Sequence, residues 1–427
     1  MTKEKLTISF SIWGMFGLEP GNVYYDWEKL MPEYVERGYN CIRLETGHGL
    51  LTDLQGNPIN ELTYYAPFGK YSGILRQMDC IDQKGVINFR QRLLDLFRAA
   101  DKYGVKIILS SWFYIHTYWM LDEEVSDPLF RLTNEQKFDH FARDLDVIFE
   151  LLEENNLIHC VAFAELFNEV NYMPSLNPPI GTVATCSKKH AESIRAAHEA
   201  AIDMLHQKYP TVKIAYDVSC PYFRTDLVPR NADVLNFHSY FSWNVYKVFE
   251  QNCVTDDLNE PEIPETIRQY LNMEVTNDDI IEAMPGAYIN NIYSWVSRAR
   301  MYSDLADDKI EQLNELLENE ITTNYDHYLA KMKSNVDRIV WVRDTVIPHA
   351  ELVMGEGVTY CASTKLRFEE RSDAYWRLIE EQAKYLREKG FLGTVVRTTS
   401  GPEDISWDLC KDKYLQMNRL FAQPTDE

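Results

Sequence analysis

The sequence has no apolar run long enough to cross a bilayer, so no membrane-spanning helix is expected. Its first residues, Met-Thr-Lys-Glu-Lys, do not lead into the long apolar stretch of a secretory signal peptide, so we expect a cytoplasmic protein. The eight cysteines are scattered and form no Cys-x-x-Cys pair, which argues against a metal site and indicates reduced thiols. No glycine-rich phosphate loop follows a predicted strand, so no cofactor is expected.

Positive charge is also scarce. The chain carries 43 Lys and Arg against 66 Asp and Glu, a net charge of −23, which makes nucleic acid and anionic membranes poor partners. The 427 residues are 45% apolar and 13% aromatic, enough for a large core. The aromatic surplus, with 9 Trp and 26 Tyr, suits a carbohydrate partner. The sequence does not set the oligomeric state, and a homo-oligomer is compatible with it.

Short apolar runs alternate with amphipathic stretches from one end of the chain to the other. This alternation predicts βα units around a parallel sheet. Eight such runs are the number required for a closed (β/α)8 barrel, the TIM barrel, of fold class α/β. The predicted strands are 6–13, 40–45, 105–112, 159–167, 212–218, 234–238, 351–355 and 392–397.

Two connections are longer than simple loops. Residues 46–85 follow the second predicted strand, and residues 239–324 follow the sixth. Both follow strand ends, so we expect both to shape a pocket on the catalytic face. We predict one catalytic domain over residues 1–427, with a mainly helical insertion at about 245–335. A separate helical subdomain within that insertion is the alternative.

Two glutamates each lie at the end of an apolar run. Glu169 ends Val161-Ala-Phe-Ala-Glu-Leu-Phe-Asn168-Glu169, and Glu356 follows Glu351-Leu-Val-Met-Gly. Because the carboxyl ends of barrel strands form the active face, we expect the two carboxylates to face each other there. Two facing carboxylates are the minimum equipment for cleaving a glycosidic bond. The asparagine before Glu169 can hydrogen-bond a sugar hydroxyl.

These motifs resemble those of the retaining glycoside hydrolases of clan A, and most of all the cellulase-type members of family 5. Asn168-Glu169 resembles the Asn-Glu that ends strand four in that clan, with the glutamate as acid/base. Glu356 resembles the strand-seven nucleophile. The resemblance therefore implies a (β/α)8 barrel and cleavage of a glycosidic bond with retention.

Two further motifs carry the same resemblance. Arg43 in Asn40-Cys-Ile-Arg-Leu resembles the strand-two arginine, and His238-Ser-Tyr240 resembles the strand-six His-x-Tyr. A permanently charged Arg43 and a hydroxyl from Tyr240 would keep Glu356 ionised. Glu169, being less solvated, would keep its proton. One protonated and one ionised carboxyl group is what the first chemical step requires.

Other residues are candidates for contact with the sugar, although a structural role in the core is equally compatible with most of them. The resemblance implies a sugar-binding histidine near residue 116, and tryptophans near strand ends can stack on a pyranose ring. The full set of predicted substrate-binding residues is Arg43, His116, Asn168, His238, Tyr240, Trp13, Trp112, Trp119, Trp243, Arg397 and Trp407.

The eighth strand departs from the family pattern. The family usually ends this strand with a tryptophan, whereas this chain has Val395-Val-Arg397-Thr, with Trp407 only later. Either Trp407 folds back to the site or Arg397 takes the place of the family residue. An arginine there would favour a hydroxyl-rich or anionic group on the substrate.

The sequence thus predicts a retaining, exo-acting, intracellular β-glycosidase that acts on oligosaccharides or small glycosides. An endo-acting β-glycanase, resembling a cellulase or mannanase, is the nearest alternative. A metal-dependent barrel hydrolase is a third reading, although the first strand carries no His-x-His motif. A non-catalytic carbohydrate-binding barrel is a fourth, and the presence of both glutamates argues against it.

Overall fold

The computed structural model describes residues 4–66, 71–76, 81–112, 117–175, 181–219, 224–240, 299, 302–358, 363–398 and 400–424. Its centre is a closed barrel of parallel strands in which each strand pairs with its neighbours in chain order and the last pairs with the first. The strands are β1 Leu6–Phe10, β2 Cys41–Glu45, β3 Lys106–Ser110, β4 Val161–Glu165, β5 Ile214–Ser219, β6 Val234–Tyr240, β7 Glu351–Val358 and β8 Gly393–Val395. The predicted (β/α)8 barrel is therefore confirmed.

Helices surround the barrel on its outside. Their starts follow local capping rules; for example, the Thr133 hydroxyl accepts a hydrogen bond from the backbone of Gln136, whose side chain bonds back to Thr133. The described α-helices are Trp27–Glu36, Phe89–Tyr103, Glu123–Phe130, Asn134–Glu154, Lys188–Lys208, Ile310–Thr323, Tyr325–Val346, Phe368–Arg371, Asp373–Glu388, Ser406–Leu409 and Lys411–Ala422. None of the helices in the described ranges is long and apolar enough to cross a membrane.

The barrel strands are buried along almost their whole length. Every residue of β1, β2 and β5 is buried, because one face of each strand points into the barrel and the other packs beneath the helices. Polar side chains inside these strands are therefore expected to hydrogen-bond other side chains or backbone groups. Many of these hydrogen bonds lie toward the carboxyl ends of the strands.

The long connections lie after β2 and β6, as predicted. The first contains an antiparallel pair of short strands, Leu62–Tyr64 with Gly85–Ile87. The second ends in the helices Ile310–Thr323 and Tyr325–Val346, and most of its earlier part lies outside the described residues. The bounds of the helical insertion at about 245–335 therefore stay a prediction.

Candidate active site

The two glutamates lie side by side at the carboxyl ends of β4 and β7. Glu169 follows β4 by four residues, and Glu356 lies within β7. Between them stands His238 of β6, whose Nδ1 is 2.7 Å from Glu169 Oε1 and 3.6 Å from Glu356 Oε2. One carboxylate oxygen of each glutamate and a ring nitrogen of His238 all lie within 4.8 Å of one another. This upper limit is compatible with two carboxyl groups that act on the same glycosidic bond.

A bulge in β7 aims Glu356. Phe237 pairs with Met354 and the next residue, His238, pairs with Glu356, so Gly355 is left out of the ladder. A Cβ at Gly355 would lie only 2.4 Å from the side-chain nitrogen of Asn236. Gly355 therefore leaves room for the buried side-chain amide of Asn236 on β6.

Arg43 of β2 is the central cation of the site and is completely buried. Its Nη1 donates to Glu356 Oε1 at 2.7 Å, and its Nη2 donates to Asn168 Oδ1 at 2.8 Å. The same guanidinium donates to Glu165 at 2.7 Å and to Asp217 at 2.9 Å. Burial opposes its charge, but these carboxylates outweigh that effect and raise its pKa well above the usual range.

Tyr240 supplies the second donor to Glu356. Its hydroxyl donates to Glu356 Oε2, while Arg43 donates to the other oxygen, so both carboxylate oxygens accept hydrogen bonds. Burial and the nearby charges of Glu356 and Glu169 raise the pKa of Tyr240 well above its usual value. The phenol therefore keeps its proton and remains a donor across the physiological range.

Glu169 has different surroundings. Burial raises the pKa of its carboxyl group, the charge of Glu356 adds to that rise, and the hydrogen bond to His238 opposes it. Burial would lower the pKa of His238, but Asp217 and Glu356 outweigh it and raise that pKa to about 10. Both shifts act on the pair that faces across 2.7 Å, so Glu169 and His238 retain a proton between them.

Trp13 and Trp112 are not open platforms for a sugar, contrary to prediction. They are 0% and 1% exposed. The Trp13 indole donates to Thr117, and the Trp112 ring packs 4.6 Å from the Arg43 guanidinium. Both rings are therefore packed inside the protein, and their faces are not available to stack on a sugar.

The contacts described for Arg397 and Trp407 are with groups other than the two catalytic candidates. Arg397 is completely buried and donates to Glu369 at 2.6 Å, so it forms an internal ion pair rather than a substrate contact. Trp407 stacks on Tyr39 with ring centres 5.8 Å apart. Because Tyr39 precedes β2, Trp407 packs near the amino end of the barrel and does not fold back to the site.

Three predicted contacts lie wholly or partly outside the described residues. His116 and Trp243 fall outside them, and Trp119 lies in the short 3-10 helix Thr117–Met120, whose backbone is described there without this side chain. Their roles stay predictions. Asn168 and His238 do lie at the site, but the contacts described for both are to other protein groups.

Sequence reasoning missed Asp217 and Asn236. Asp217 of β5 accepts hydrogen bonds from Arg43, from His238 at 3.1 Å and from the backbone N–H of Glu169 at 2.8 Å. Asn236 of β6 donates to both Glu165 and Asp217 at 2.7 Å. Each is a single polar residue inside an apolar run, and this pattern could have identified both as buried polar residues of the site.

Glu169, His238 and Glu356 are also residue types that bind metals. Here, however, both nitrogens of His238 face carboxylates, and both oxygens of Glu356 accept hydrogen bonds from Arg43 and Tyr240. A cation would have to displace these partners beside a buried guanidinium. The donor set therefore fits proton transfer better than metal binding.

A second group of such residue types lies at the amino end of β4. Its carboxylate, Asp101, bonds the His159 ring at 2.7 Å, and the Cys160 sulfur lies 3.5 Å from the same nitrogen. The side chains of Asp101 and His159 are about half exposed. These contacts describe a surface hydrogen bond beside a buried thiol, on the side of the barrel opposite to the glutamates.

A closed (β/α)8 barrel with facing carboxylates at the ends of β4 and β7 is the architecture of a glycosidase-like protein. The model of the family described as sugar-binding, cellulase-like proteins matches residues 10–268, so the chain belongs to this cellulase-like family. A comparison with curated proteins finds no matching sequence.

A candidate glycoside hydrolase of known structure from Parabacteroides distasonis is 16% identical, with a TM-score of 0.55 over 99% of this chain and 94% of the other. At this identity the likeness shows the barrel fold alone. An endo-β-1,4-mannanase from Thermotoga petrophila is 8% identical, with a TM-score of 0.49 over 99% of this chain and 78% of the other.

Proposed function

We propose that this protein is a retaining glycoside hydrolase in which Glu356 is the nucleophile and Glu169 the acid/base. One observation carries the proposal: the two carboxyl groups approach within 4.8 Å yet have unlike surroundings. Glu356 accepts hydrogen bonds from Arg43 and Tyr240, whereas burial raises the pKa of Glu169. Unequal environments of this kind separate an acid from a nucleophile.

The chemistry then follows a double displacement. A Glu356 oxygen attacks the anomeric carbon while Glu169 gives its proton to the departing glycosidic oxygen, which leaves as an alcohol. Glu169 next takes a proton from water, and the resulting hydroxide displaces Glu356 from the sugar. Arg43 and Tyr240 hold one carboxylate rotamer throughout, so the attacking oxygen is positioned before the substrate binds.

We also propose exo action on oligosaccharides or small glycosides inside the cell, with an endo-acting β-glycanase as the alternative. The length of the connections after β2 and β6 supports this choice, since each connection leaves its strand at the end of the barrel that carries the glutamates. Digestion of an end-labelled oligosaccharide distinguishes the two modes. Exo action releases one sugar at a time, whereas endo action yields fragments of intermediate length from the start.

The central experiment is hydrolysis of a panel of nitrophenyl glycosides by three variants. Glu356→Gln should abolish turnover, and Glu169→Ala should lower kcat by about 100- to 10,000-fold. Azide should restore turnover to Glu169→Ala and give a glycosyl azide of retained configuration. Glu351→Gln is the matched control, because Glu351 lies on the same strand at its opposite end, paired with Lys213.

Two outcomes would contradict the proposal. If the first product seen by NMR has the inverted anomeric configuration, Glu356 is not the nucleophile. If no glycoside is cleaved while a sugar still binds, and Glu356→Gln changes neither result, the protein is a carbohydrate-binding barrel. The description of its family as sugar-binding makes that second function the one to test against.

A further inference from the structure

Asp217 contacts the backbone of Glu169, the candidate acid, through one carboxylate oxygen and the His238 ring through the other. Its Oδ1 accepts from the backbone N–H of Glu169 at 2.8 Å, and its Oδ2 faces His238 Nε2 at 3.1 Å. Asp217 is completely buried on β5, so neither contact is shared with solvent. One side chain thus links the peptide of Glu169 to the ring that faces the Glu169 carboxyl group.

The first contact holds an unusual backbone. Glu169 has φ 45° and ψ 58°, the left-handed conformation that is unfavourable for a residue with a Cβ atom. The Asp217 carboxylate accepts the N–H that this conformation turns inward. A charge-assisted hydrogen bond of this kind compensates for the strain and fixes the direction of the Glu169 side chain.

The second contact sets the proton of the histidine ring. Asp217 Oδ2 also accepts from Arg43 at 2.9 Å and from Asn236 at 2.7 Å, so it is surrounded by donors. The positive charges of His238 and Arg43 lower the pKa of Asp217 despite its burial, and an ionised carboxylate only accepts. Nε2 of His238 must therefore carry hydrogen, which leaves Nδ1 to share the Glu169 proton.

We propose that Asp217 is a positioning residue for Glu169, acting through both its backbone hydrogen bond and the His238 ring. This inference rests on the proposed function, since it assigns Glu169 the acid/base role. The resulting Asp217–His238–Glu169 chain keeps the acid proton at Oε1 or Nδ1, within reach of the substrate. Charged and titratable groups from several strands face this chain: Arg43, Glu165, Tyr240 and Glu356.

The test compares Asp217→Asn with Asp233→Asn. Asp233 makes the same kind of contacts, to a histidine, His206, at 2.9 Å and to the backbone N–H of Ile214 at 2.8 Å. It precedes β6, at the opposite end of the barrel from Glu169. The control therefore removes an equivalent carboxylate charge without touching the site.

The first readout is the dependence of kcat on the leaving group of aryl glycosides. With Asp217→Asn, glycosides of poorly acidic phenols should lose about 100-fold in kcat, and dinitrophenyl glycosides, which need no proton, less than about 10-fold. The alkaline limb of the pH profile should also move. Equal losses for all leaving groups, or the same profile as Asp233→Asn, would overturn the proposal.

The second readout does not depend on activity. In full-length protein labelled with ¹⁵N-histidine, His238 should show a protonated Nε2 that Asp217→Asn shifts and Asp233→Asn leaves unchanged. If no glycoside is cleaved but this pattern appears, the proposed function fails while the positioning geometry stands. If wild-type enzyme is active and His238 lacks the Nε2 proton, the positioning role fails alone.

His238→Gln replaces Asp217→Asn if the latter does not fold. It removes the ring but keeps the Asp217 contact to the Glu169 backbone. The same dependence on the leaving group is expected, because the ring that shares the Glu169 proton is gone. Uniform losses across the glycosides with His238→Gln would overturn the role of the ring.

Discussion

Charge compensation decides how each residue of the site behaves. Three buried carboxyl groups and the partly buried Glu169 face Arg43 and His238 across the ends of five strands, so some of the carboxyl groups must hold protons. The geometry distributes the donors unevenly, with Arg43 directed to Glu356 and His238 directed to Glu169. The six groups are Arg43, Glu165, Glu169, Asp217, His238 and Glu356.

The His238 ring should make stability depend on pH. Its pKa is raised from 6.5 to about 10 in the folded protein. Between those values the folded state binds more protons than the unfolded state, so this contribution is complete below pH 6.5 and is lost as pH rises toward 10. Urea unfolding across this range should show a steeper alkaline loss for wild type than for His238→Gln.

His206→Gln is the control for that measurement. His206 pairs with Asp233 at the opposite end of the barrel and its side chain is 26% exposed, so its substitution removes a histidine without touching the site. The difference between wild type and each variant isolates the ring from every other group that titrates in this range. Parallel curves for wild type and His238→Gln would contradict the assigned proton.

At the scale of the element, the bulge in β7 determines which face of the strand carries Glu356. Without it, Glu356 would keep the strict alternation of side chains and point to the opposite face of the strand. The Asn236 amide fills the space where a Cβ atom of residue 355 would lie, so the bulge requires a glycine at this position.

Gly355→Ala should destabilise the protein by about 1–3 kcal/mol, since a Cβ 2.4 Å from the Asn236 nitrogen forces one of them to move. Turnover should fall as well, because Glu356 is the next residue. In an Asn236→Ala background the same substitution should cost less, as the clashing atoms are gone. Urea unfolding of the four proteins gives the coupling, and an unchanged cost in that background would rule out the steric explanation.

At the scale of the whole molecule, the two chain ends close the barrel. The Leu6 N–H donates to the Leu392 carbonyl oxygen at 2.8 Å, where β1 meets β8. Beyond β8 the chain first contacts β7, where Thr398 Oγ1 accepts from the Gly357 N–H at 2.7 Å. Further on, Trp407 stacks on Tyr39, with the Arg37 guanidinium 4.2 Å from its ring. The packing of Trp407 thus contributes to stability rather than to the pocket.

Trp407→Ala should therefore lower stability without changing the site. Removing a 2% exposed, stacked indole is expected to cost about 3–5 kcal/mol. At a temperature where the variant remains folded, its KM and kcat should equal those of wild type. Trp341→Ala is the matched control, because that ring is 56% exposed and its loss should change the free energy of unfolding by less than about 0.5 kcal/mol.

A change in KM for Trp407→Ala, at unchanged stability, would instead indicate that the Trp407 ring contacts the substrate. Thermal unfolding and glycoside kinetics on the same preparation separate these outcomes. The Trp341 variant shows how much of any change comes from losing a tryptophan as such.

The sequence by itself determined the barrel and the pair of glutamates. Apolar periodicity is a local property, and the end of a parallel strand identifies a face without any knowledge of its neighbours. The need for a glycine at position 355 is not visible in this way, because the Asn236 amide that occupies the space beside it belongs to another strand.

Only the tertiary structure decided which polar side chains meet. Asp217 is far from Glu169 in sequence, and its contacts depend on the adjacency of β4, β5 and β6. The sequence predicted that Trp112 and Trp407 both contact the substrate, yet one packs on Arg43 and the other on Tyr39. Burial and partner choice depend on distances between segments remote in the chain, and residue spacing within one segment carries no record of them.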